Sequence, residues 1–286
     1  MGLFSGLEKL GFKNTEMEVF NKEENKKVRV EEKKKQVMEP LKEEDCLFPK
    51  SYTCPICDEK FKCLTVKTGK IRSVSQDDDL RPVYREMEPL KYDAVICPHC
   101  GYAALAKYFP VMLTVQSKRI REKVIPQFQG IEISENKYSY EEALLRYKMV
   151  LLCDVVGGVQ SGRKAYTCLK MAWLIRSKMM NEGENLNPEE RRELEKDELE
   201  CIQNAYEGYC MAFSSETFPI SGMDEITLSY LCAELAYRLG KYSESLRLLS
   251  NIIANNHVPQ RIKDKALVLK DQIRLKNDEE KQENND

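Results

Sequence analysis

Cys54-Pro55-Ile56-Cys57 and Cys97-Pro98-His99-Cys100-Gly101 share the spacing C-x2-C. A two-residue gap folds into a tight knuckle whose amide N–H groups point at the sulfurs, so each pair can hold one side of a tetrahedral metal ion. A set of four thiolates leaves no coordination position open, which is typical of structural rather than catalytic zinc. The sequence therefore predicts one Zn2+ site, with the ligands Cys54, Cys57, Cys97 and Cys100.

The charge and cysteine content narrow the class of protein. The 286-residue chain has 45 basic and 47 acidic side chains and a net charge of -2, which gives no overall attraction for nucleic acid or anionic lipid. No apolar run reaches the roughly 18 residues of a membrane span, and the first residues lack an export signal, so we expect a cytoplasmic protein without a transmembrane segment. In that compartment, eleven cysteines indicate a metal site and free thiols rather than disulfides.

Both ends of the chain are predicted to lie outside the folded core. In residues 1–12, Leu3, Phe4, Leu7 and Leu10 can share one face of a short amphipathic helix, which is either a frayed end or a weak docking segment at residues 3–12. Residues 13–50 carry mixed charge and few large apolar side chains, so they are predicted to form a disordered linker. Residues 277–286 are predicted to form a disordered tail.

Residues 51–110 are predicted to form a β-rich metal module. Strand-like stretches at residues 65–67 and 71–74 flank Gly69-Lys70, which predicts an inserted hairpin with its turn at those two residues. A short strand over residues 92–96 would lead into the second knuckle. Gly101 and, at the equivalent place of the first knuckle, Asp58 suit a backbone conformation with positive φ.

From Tyr102 onward the periodicity becomes helical, and residues 111–276 are predicted to form a tetratricopeptide-like helical domain. The segments that begin at Tyr140 and Tyr242 place an aromatic, an acidic and a small residue at matching offsets. Around the second, the tetratricopeptide-like pattern puts Ala233 where two paired helices approach closely and Gly240 at the turn between them. Tyr242 and Ser245 would then start the second helix, with Ile252 at its far end. The predicted fold class is therefore α+β, mostly α, with a small N-terminal zinc ribbon followed by a tetratricopeptide-like α-helical superhelix.

Between the knuckles, charged residues suggest a polar cluster. Its members are Lys70, Arg72, Asp77, Asp79 and Arg81. An arginine can pair with a carboxylate in a bidentate fork, so we expect an ion-paired loop that fixes the insert against the ribbon. A ligand or phosphate site built on Arg81, Lys70 and Arg72 is the alternative interpretation, and general acid/base chemistry by the carboxylates is the third.

The module as a whole resembles a known bacterial family, called domain of unknown function 2225. The similar residues, in order, are Thr68-Gly69-Lys70…Asp77-x-Asp79-Leu80-Arg81-Pro82-x-Tyr84…Pro89-x-x-Tyr92-Asp93…Cys97-Pro98-x-Cys100-Gly101-Tyr102-Ala103. In that family such a ribbon precedes tetratricopeptide-like helices, and the resemblance covers roughly residues 50–255. It implies a cytosolic protein of Gram-positive-type bacteria and brings no known activity.

The sequence contains no recognisable catalytic arrangement. Its two histidines are His99, inside a knuckle, and His257, near a helix end, so no Cys-His or Ser-His pair is evident. The phosphate-binding loop G-x-x-x-x-G-K-[ST] is absent as well. We therefore expect a non-catalytic adaptor in which zinc holds the ribbon folded and a groove of the helical domain binds a protein or peptide partner.

Two other functions stay open at this point. Zinc ribbons often bind nucleic acid, although the basic and acidic side chains of this module roughly balance. The C-P-x-C-G knuckle also resembles that of rubredoxin, in which case the metal would be iron at a redox site instead of zinc.

Overall fold

The computed structural model describes residues 41–283, with side chains up to residue 276. The predicted amphipathic start and residues 13–40 of the predicted linker lie outside the described residues. Within the described part, short antiparallel strands precede a long series of helices, so the predicted fold class, mostly α with a small N-terminal β module, is confirmed.

The strands of the described part form three antiparallel pairs, β1 with β2, β3 with β4, and β5 with β6. Their bounds are β1 Leu47–Thr53, β2 Lys60–Val66, β3 Ser73–Gln76, β4 Pro82–Tyr84, β5 Ala94–Ile96 and β6 Ala103–Leu105. The first knuckle connects β1 to β2 and the second connects β5 to β6. The third hairpin, β3–β4, is inserted between them.

Two expectations about these strands are wrong. The hairpin predicted around Gly69-Lys70 does not form, because β2 pairs back on β1 across the first knuckle and residues Thr68–Lys70 form one 3-10 turn. The inserted hairpin instead turns at residues 77–81. The helical periodicity expected from Tyr102 is also absent at first, since Ala103–Leu105 is a strand that pairs with β5. In both places a knuckle directs the chain back antiparallel, and this tertiary constraint overrides the local pattern.

The helices begin after Leu113. They are α1 Thr114–Lys123, α2 Tyr140–Gly157, α3 Ser161–Glu182, α4 Pro188–Ser215, α5 Glu225–Arg238, α6 Tyr242–Ala254 and α7 Gln260–Glu283. Side-chain oxygens of Ser139, Asn187 and Asp224 accept the first free amide N–H groups of α2, α4 and α5, which fixes where those helices start. None of the helices in the described range is long and apolar enough to cross a membrane.

The helix pair α5–α6 matches the local prediction. Gly240 forms its turn with a φ of 71°, a conformation that favours glycine. The Ser245 hydroxyl is buried and donates to the Ala233 carbonyl at 2.7 Å, which joins the two helices where they approach closely. Ile252 is buried at the far end of α6. A tetratricopeptide-like superhelix over the whole helical part stays a prediction.

The strands and helices share their packing surfaces. Helix α2 packs on β5 and β6 as well as on its helical neighbours, and the described residues from Lys42 onward form one compact unit. Strand β1 begins at Leu47, before residue 51, and α7 continues to Glu283, beyond residue 276. The predicted division into a ribbon module and a helical domain at residue 110 stays a prediction.

Candidate metal centre

The two knuckles have the same backbone geometry. In the first, the Asp58 N–H donates to the Cys54 carbonyl at 3.0 Å, and Asp58 has a φ of 62°. In the second, the Gly101 N–H donates to the Cys97 carbonyl at 3.0 Å, with a φ of 76°. Each turn leaves its two cysteines on one side, as the C-x2-C spacing predicts, and Asp58 adopts the positive φ expected of it.

The structure brings the four predicted cysteines together. Their Sγ atoms all lie within 4.8 Å of one another, and Cys54 with Cys100 and Cys57 with Cys97 are each 3.6 Å apart. Zn–S bonds of about 2.3 Å require sulfurs about 3.8 Å apart in a tetrahedron, so the donor set fits a tetrahedral metal ion. The cluster can therefore hold a metal, and its geometry is compatible with zinc or iron.

The electrostatics of the cluster favour a cation. The neighbouring thiols of Cys100 and Cys54 lower the pKa of Cys97 to about 2, while contact with Cys54 and Cys97 raises the pKa of Cys100. One thiolate in the group thus opposes ionisation of the next. A divalent cation removes this conflict, because metal ligation stabilises all four sulfurs as thiolates.

Side chains from outside the knuckles contact both of them, and most of these contacts are with the second knuckle. The Cys153 sulfur on α2 accepts from the Ala103 N–H at 3.3 Å and donates to the Gly101 carbonyl at 3.8 Å. Phe128 packs on Gly101, where an added Cβ would lie 2.5 Å from the ring. Glycine is therefore favoured at position 101 for two reasons: the positive φ, and the close contact with Phe128. The Arg121 guanidinium of α1 donates to the Ile56 carbonyl in the first knuckle.

The other predicted polar residues divide into two groups. Asp77, Asp79 and Arg81 lie in the turn between β3 and β4, which we call the hairpin tip (residues 77–81). Lys70 and Arg72 precede β3 and so lie at the opposite end of that strand from the tip. Both are exposed, and among the described residues neither forms an ion pair. Among the described contacts, none joins Lys70 or Arg72 to Arg81, so a site built on all three stays a prediction.

The hairpin tip is anchored to helices and not to the ribbon, which corrects the expectation. Arg81 pairs with Asp77 at 2.8 Å inside the tip, and Asp77 also lies 3.4 Å from Arg176 on α3. On α7, the Lys265 ammonium donates to the Asp77 carbonyl at 3.4 Å. Leu80 packs against both clusters of buried side chains in the helical part. Polar contacts with α3 and α7, together with the packing of Leu80, therefore hold the insert against the helices.

Asp79 is the most buried charge of the tip. Its Oδ2 accepts from the Trp173 indole at 3.0 Å and lies 2.8 Å from Arg176, while Oδ1 has no hydrogen-bond partner. Burial alone would raise the pKa of Asp79, but Arg176, Arg238 and the indole N–H lower it below its ordinary value. The carboxylate is therefore charged in the folded protein and depends on its partners.

Sequence reasoning missed these helical partners. Nothing in the sequence around Trp173, Arg176 or Arg238 indicates that these side chains contact the hairpin tip. The one usable signal was the excess of acids in Asp77-Asp78-Asp79, which calls for basic partners elsewhere without saying where they lie.

The comparisons with known proteins identify the family. The model of the family described as uncharacterized protein conserved in bacteria (DUF2225) matches residues 47–273, which include both knuckles and the hairpin tip. The chain belongs to this family, so the resemblance seen in the sequence is confirmed. Searches of curated proteins and of solved structures found no match.

Proposed function

We propose that this DUF2225 family member is a non-catalytic adaptor in which Zn2+ holds the knuckles together and the helical part binds a protein partner. The proposal rests mainly on an apolar groove along α2. A cavity of about 520 Å³ lies between that helix and the segment 123–131. Its apolar lining consists of Ile96, Val124, Phe128, Ile131, Leu145, Met149, Leu152 and Val156.

The α2 side of this groove forms a continuous stripe. Leu145, Met149, Leu152 and Val156 follow one another at helical spacing, so their side chains share one face of α2. Leu145 is 50% exposed and Leu152 is 46% exposed, while Met149 and Val156 are half-buried. Single exposed apolar residues are ordinary, whereas a contiguous, partly exposed stripe is typical of an interaction surface.

The charge beside the groove specifies the kind of partner. Lys123 is the charged side chain that lines the groove. We therefore expect a partner segment that inserts apolar side chains and carries acidic residues beside them. The face of α3, α5 and α7 is a weaker choice for this partner, because the protein's own hairpin tip contacts those helices.

The absence of catalysis is the second part of the proposal. Four sulfurs fill a tetrahedral coordination sphere and leave no position for substrate. Within residues 41–276, neither histidine side chain hydrogen-bonds to a serine or cysteine. These features support a structural role for the metal.

The test is capture of a partner by tagged full-length protein from its native host, with Leu152→Glu as the disrupting variant. Met211→Glu is the matched control, because Met211 is 61% exposed on α4 and outside the groove. We expect a partner that binds the wild type and the control, does not bind Leu152→Glu, and releases in part at high salt. Equal capture by both variants would place the binding surface elsewhere and defeat the proposal.

Nucleic-acid binding is a second candidate, favoured by lysines on the first hairpin. Lys50, Lys60 and Lys62 are exposed on β1 and β2. A gel-shift assay with single- and double-stranded DNA at increasing salt tests it. Binding that falls steeply with salt and is lost in the triple Lys→Ala variant would replace the adaptor proposal.

Metal identity is tested separately by elemental analysis and an absorption spectrum of aerobically purified protein. We expect stoichiometric zinc and a colourless protein. A red ferric tetrathiolate spectrum would instead support the rubredoxin-type alternative.

A further inference from the structure

A second cavity, of about 580 Å³, lies between the inserted hairpin and the helices α2 and α3. This volume falls within the range of small-molecule sites. Three charged side chains in its wall are almost fully buried: those of Arg81, Glu88 and Lys91 are 2%, 7% and 8% exposed. Lys137 and Ser139, by contrast, are exposed at its rim. Lys91 is already paired with Glu43 at 2.6 Å, so the charges that a ligand could compensate are those of Arg81 and Glu88.

Arg81 has hydrogen-bonding capacity left over at this wall. Its Nε donates to Asp77 at 2.8 Å, but one terminal nitrogen faces only the weakly accepting Met180 sulfur, at 3.2 Å. The other terminal nitrogen is 3.6 Å from Glu88 Oε2, beyond hydrogen-bond length. A guanidinium has five N–H donors, so the terminal nitrogens can still take the two oxygens of a carboxylate.

Glu88 has spare capacity of the opposite sign. Its Oε1 accepts from the Leu90 N–H at 3.1 Å and its Oε2 has the long contact with Arg81, while the Ser177 hydroxyl also interacts with the carboxylate. Burial raises the pKa of the Glu88 carboxyl, although the Ser177 hydroxyl, the Leu90 N–H, Arg81 and Lys91 each lower it. A cationic group in the cavity would lower that pKa further.

A cluster of neutral polar groups completes the wall. The Tyr140 hydroxyl lies 3.1 Å from the Ser177 hydroxyl, and the Asn181 amide donates to both, at 2.7 Å and 3.1 Å. Ser177 is 1% exposed, so its hydroxyl belongs to the floor and not to the rim. Such groups can orient a small polar ligand by hydrogen bonds.

The charges of the whole lining decide the class of ligand. Arg81, Arg85, Lys91 and Lys137 are opposed by Glu43, Glu86, Glu88 and Glu182. A polyanion such as a nucleotide would meet four acidic side chains as well as the four basic ones. A simple cation would likewise meet four basic side chains as well as the four acidic ones. A molecule with one group of each sign fits both, because its two charges can face opposite walls.

We propose that this cavity binds a small zwitterion of the α-amino acid class, with its carboxylate on the terminal nitrogens of Arg81 and its ammonium on Glu88. The ligand would lie between Arg81 and Glu88 and replace their long contact with two shorter ion pairs, one to each side chain. The hydroxyl and amide groups of Tyr140, Ser177 and Asn181 would then face its remaining polar atoms. This site involves neither the cysteine cluster nor the α2 groove, so it stands or falls independently of the adaptor proposal.

The experiment uses full-length, metal-loaded protein and measures melting temperature and calorimetric binding. The ligands are the standard α-amino acids, their N-acetyl and carboxamide derivatives, glycerol and inorganic phosphate. We expect at least one amino acid to bind and raise the melting temperature. Each derivative, which lacks one of the two charges, should bind at least about tenfold more weakly, since one charged contact is worth roughly 1.4 kcal/mol or more.

Two variants locate the site. Glu88→Gln should weaken the amino acid at least about tenfold and leave the already weak N-acetyl derivative unchanged, because that derivative has no ammonium to lose. Ser177→Ala should weaken both ligands by a similar, smaller factor. Glu132→Gln is the matched control, since Glu132 is exposed and outside the cavity lining.

Several outcomes would overturn the proposal. Absence of binding by every amino acid rules out the ligand class. Binding that Glu88→Gln and Ser177→Ala leave unchanged rules out this cavity. Binding of phosphate without any amino acid would make it a plain anion site. If Glu88→Gln fails to fold, the derivatives on the wild type and the Ser177→Ala variant still give a decision.

Discussion

The cysteine cluster and the hairpin tip are two buried polar sites that are stabilised in opposite ways. In the cluster, all four side chains are alike, and a bound metal ion would supply the compensating charge. In the tip, the compensating charges belong to the protein: Asp79 is paired with Arg176 and Arg81 with Asp77. The first site has no compensating charge of its own and is suited to a metal ion, whereas the second is compensated by residues of the helices.

We therefore expect different interactions to stabilise the two regions: metal ligation in the ribbon, and ion pairs between the inserted hairpin and the helices. Structural metal sites contribute folding energy directly, because unfolded chains lack a preformed site. Buried ion pairs contribute little net energy, but removing one partner leaves an uncompensated charge and is strongly destabilising. Damage to the cluster should therefore affect the β module first, and damage to the tip should loosen the insert while the metal remains bound.

The largest effect is expected from Cys97→Ser. Loss of one ligand should release the metal and unfold the knuckles, since structural zinc contributes on the order of 10 kcal/mol in isolated zinc-finger peptides. Elemental analysis measures the metal, and hydrogen exchange measures protection of β1, β2, β5 and β6. The control is Cys63→Ser, which also removes a buried thiol but lies outside the cluster.

Full metal occupancy in Cys97→Ser would remove that residue from the ligand set. Loss of metal from Cys63→Ser, or from Cys46→Ser, would mean that the four ligands are assigned incorrectly. Either result would weaken the contrast between the two sites.

The next largest effect is expected from Asp79→Asn. The neutral amide leaves Arg176 with less compensation in a buried position, so we expect a loss of about 3 kcal/mol in the free energy of unfolding, with metal content unchanged. Urea unfolding with elemental analysis checks both parts. The control is Asp78→Asn, because the Asp78 side chain is 62% exposed and its Lys265 contact is 3.8 Å long. Equal stability of the two variants would contradict a structural role for Asp79.

The contrast between the two sites also explains what could be predicted from the sequence. The cluster is encoded twice by a local spacing, so both its members and its turn geometry, including Asp58 at positive φ, follow from two short motifs. The class of fold and the α5–α6 turn at Gly240 follow from local patterns in the same way.

The hairpin tip could be predicted only in part. The Asp77–Arg81 pair is close in sequence, but Trp173, Arg176 and Arg238 are brought to Asp79 by the packing of α3 and α5, which no local pattern encodes. The misplaced hairpin at Gly69-Lys70 has a related cause. Glycine indicates a turn, but the choice of strand partner depends on the knuckle that joins β1 to β2.

Trp173→Phe tests the tip with a smaller change. Phenylalanine keeps most of the buried ring and removes the indole N–H that donates to Asp79 at 3.0 Å. A hydrogen bond to a charged group contributes about 2 kcal/mol, so we expect a loss of that size in urea unfolding. In the double variant with Asp79→Asn, the loss of stability should be smaller than the sum of the losses in the two single variants. Full additivity would show that the indole does not act through the carboxylate.

The smallest expected effect is a difference in the response to acid. Because the pKa of Asp79 is lowered from its ordinary value of 3.8, the native state binds fewer protons than the unfolded state just below that pH. Asp79 therefore contributes stability that is fully present above about pH 4 and is lost as the pH falls through its folded-state pKa. Asp79→Asn lacks this contribution, so its free energy of unfolding should fall less steeply on acidification than that of the wild type. Asp78→Asn should follow the wild type, and because all three proteins carry the same cysteines, acid-induced metal release cancels from the comparison. Parallel curves for the wild type and Asp79→Asn would show that Asp79 is not held charged by Arg176, and the tip would then be a neutral contact instead of an ion-paired one.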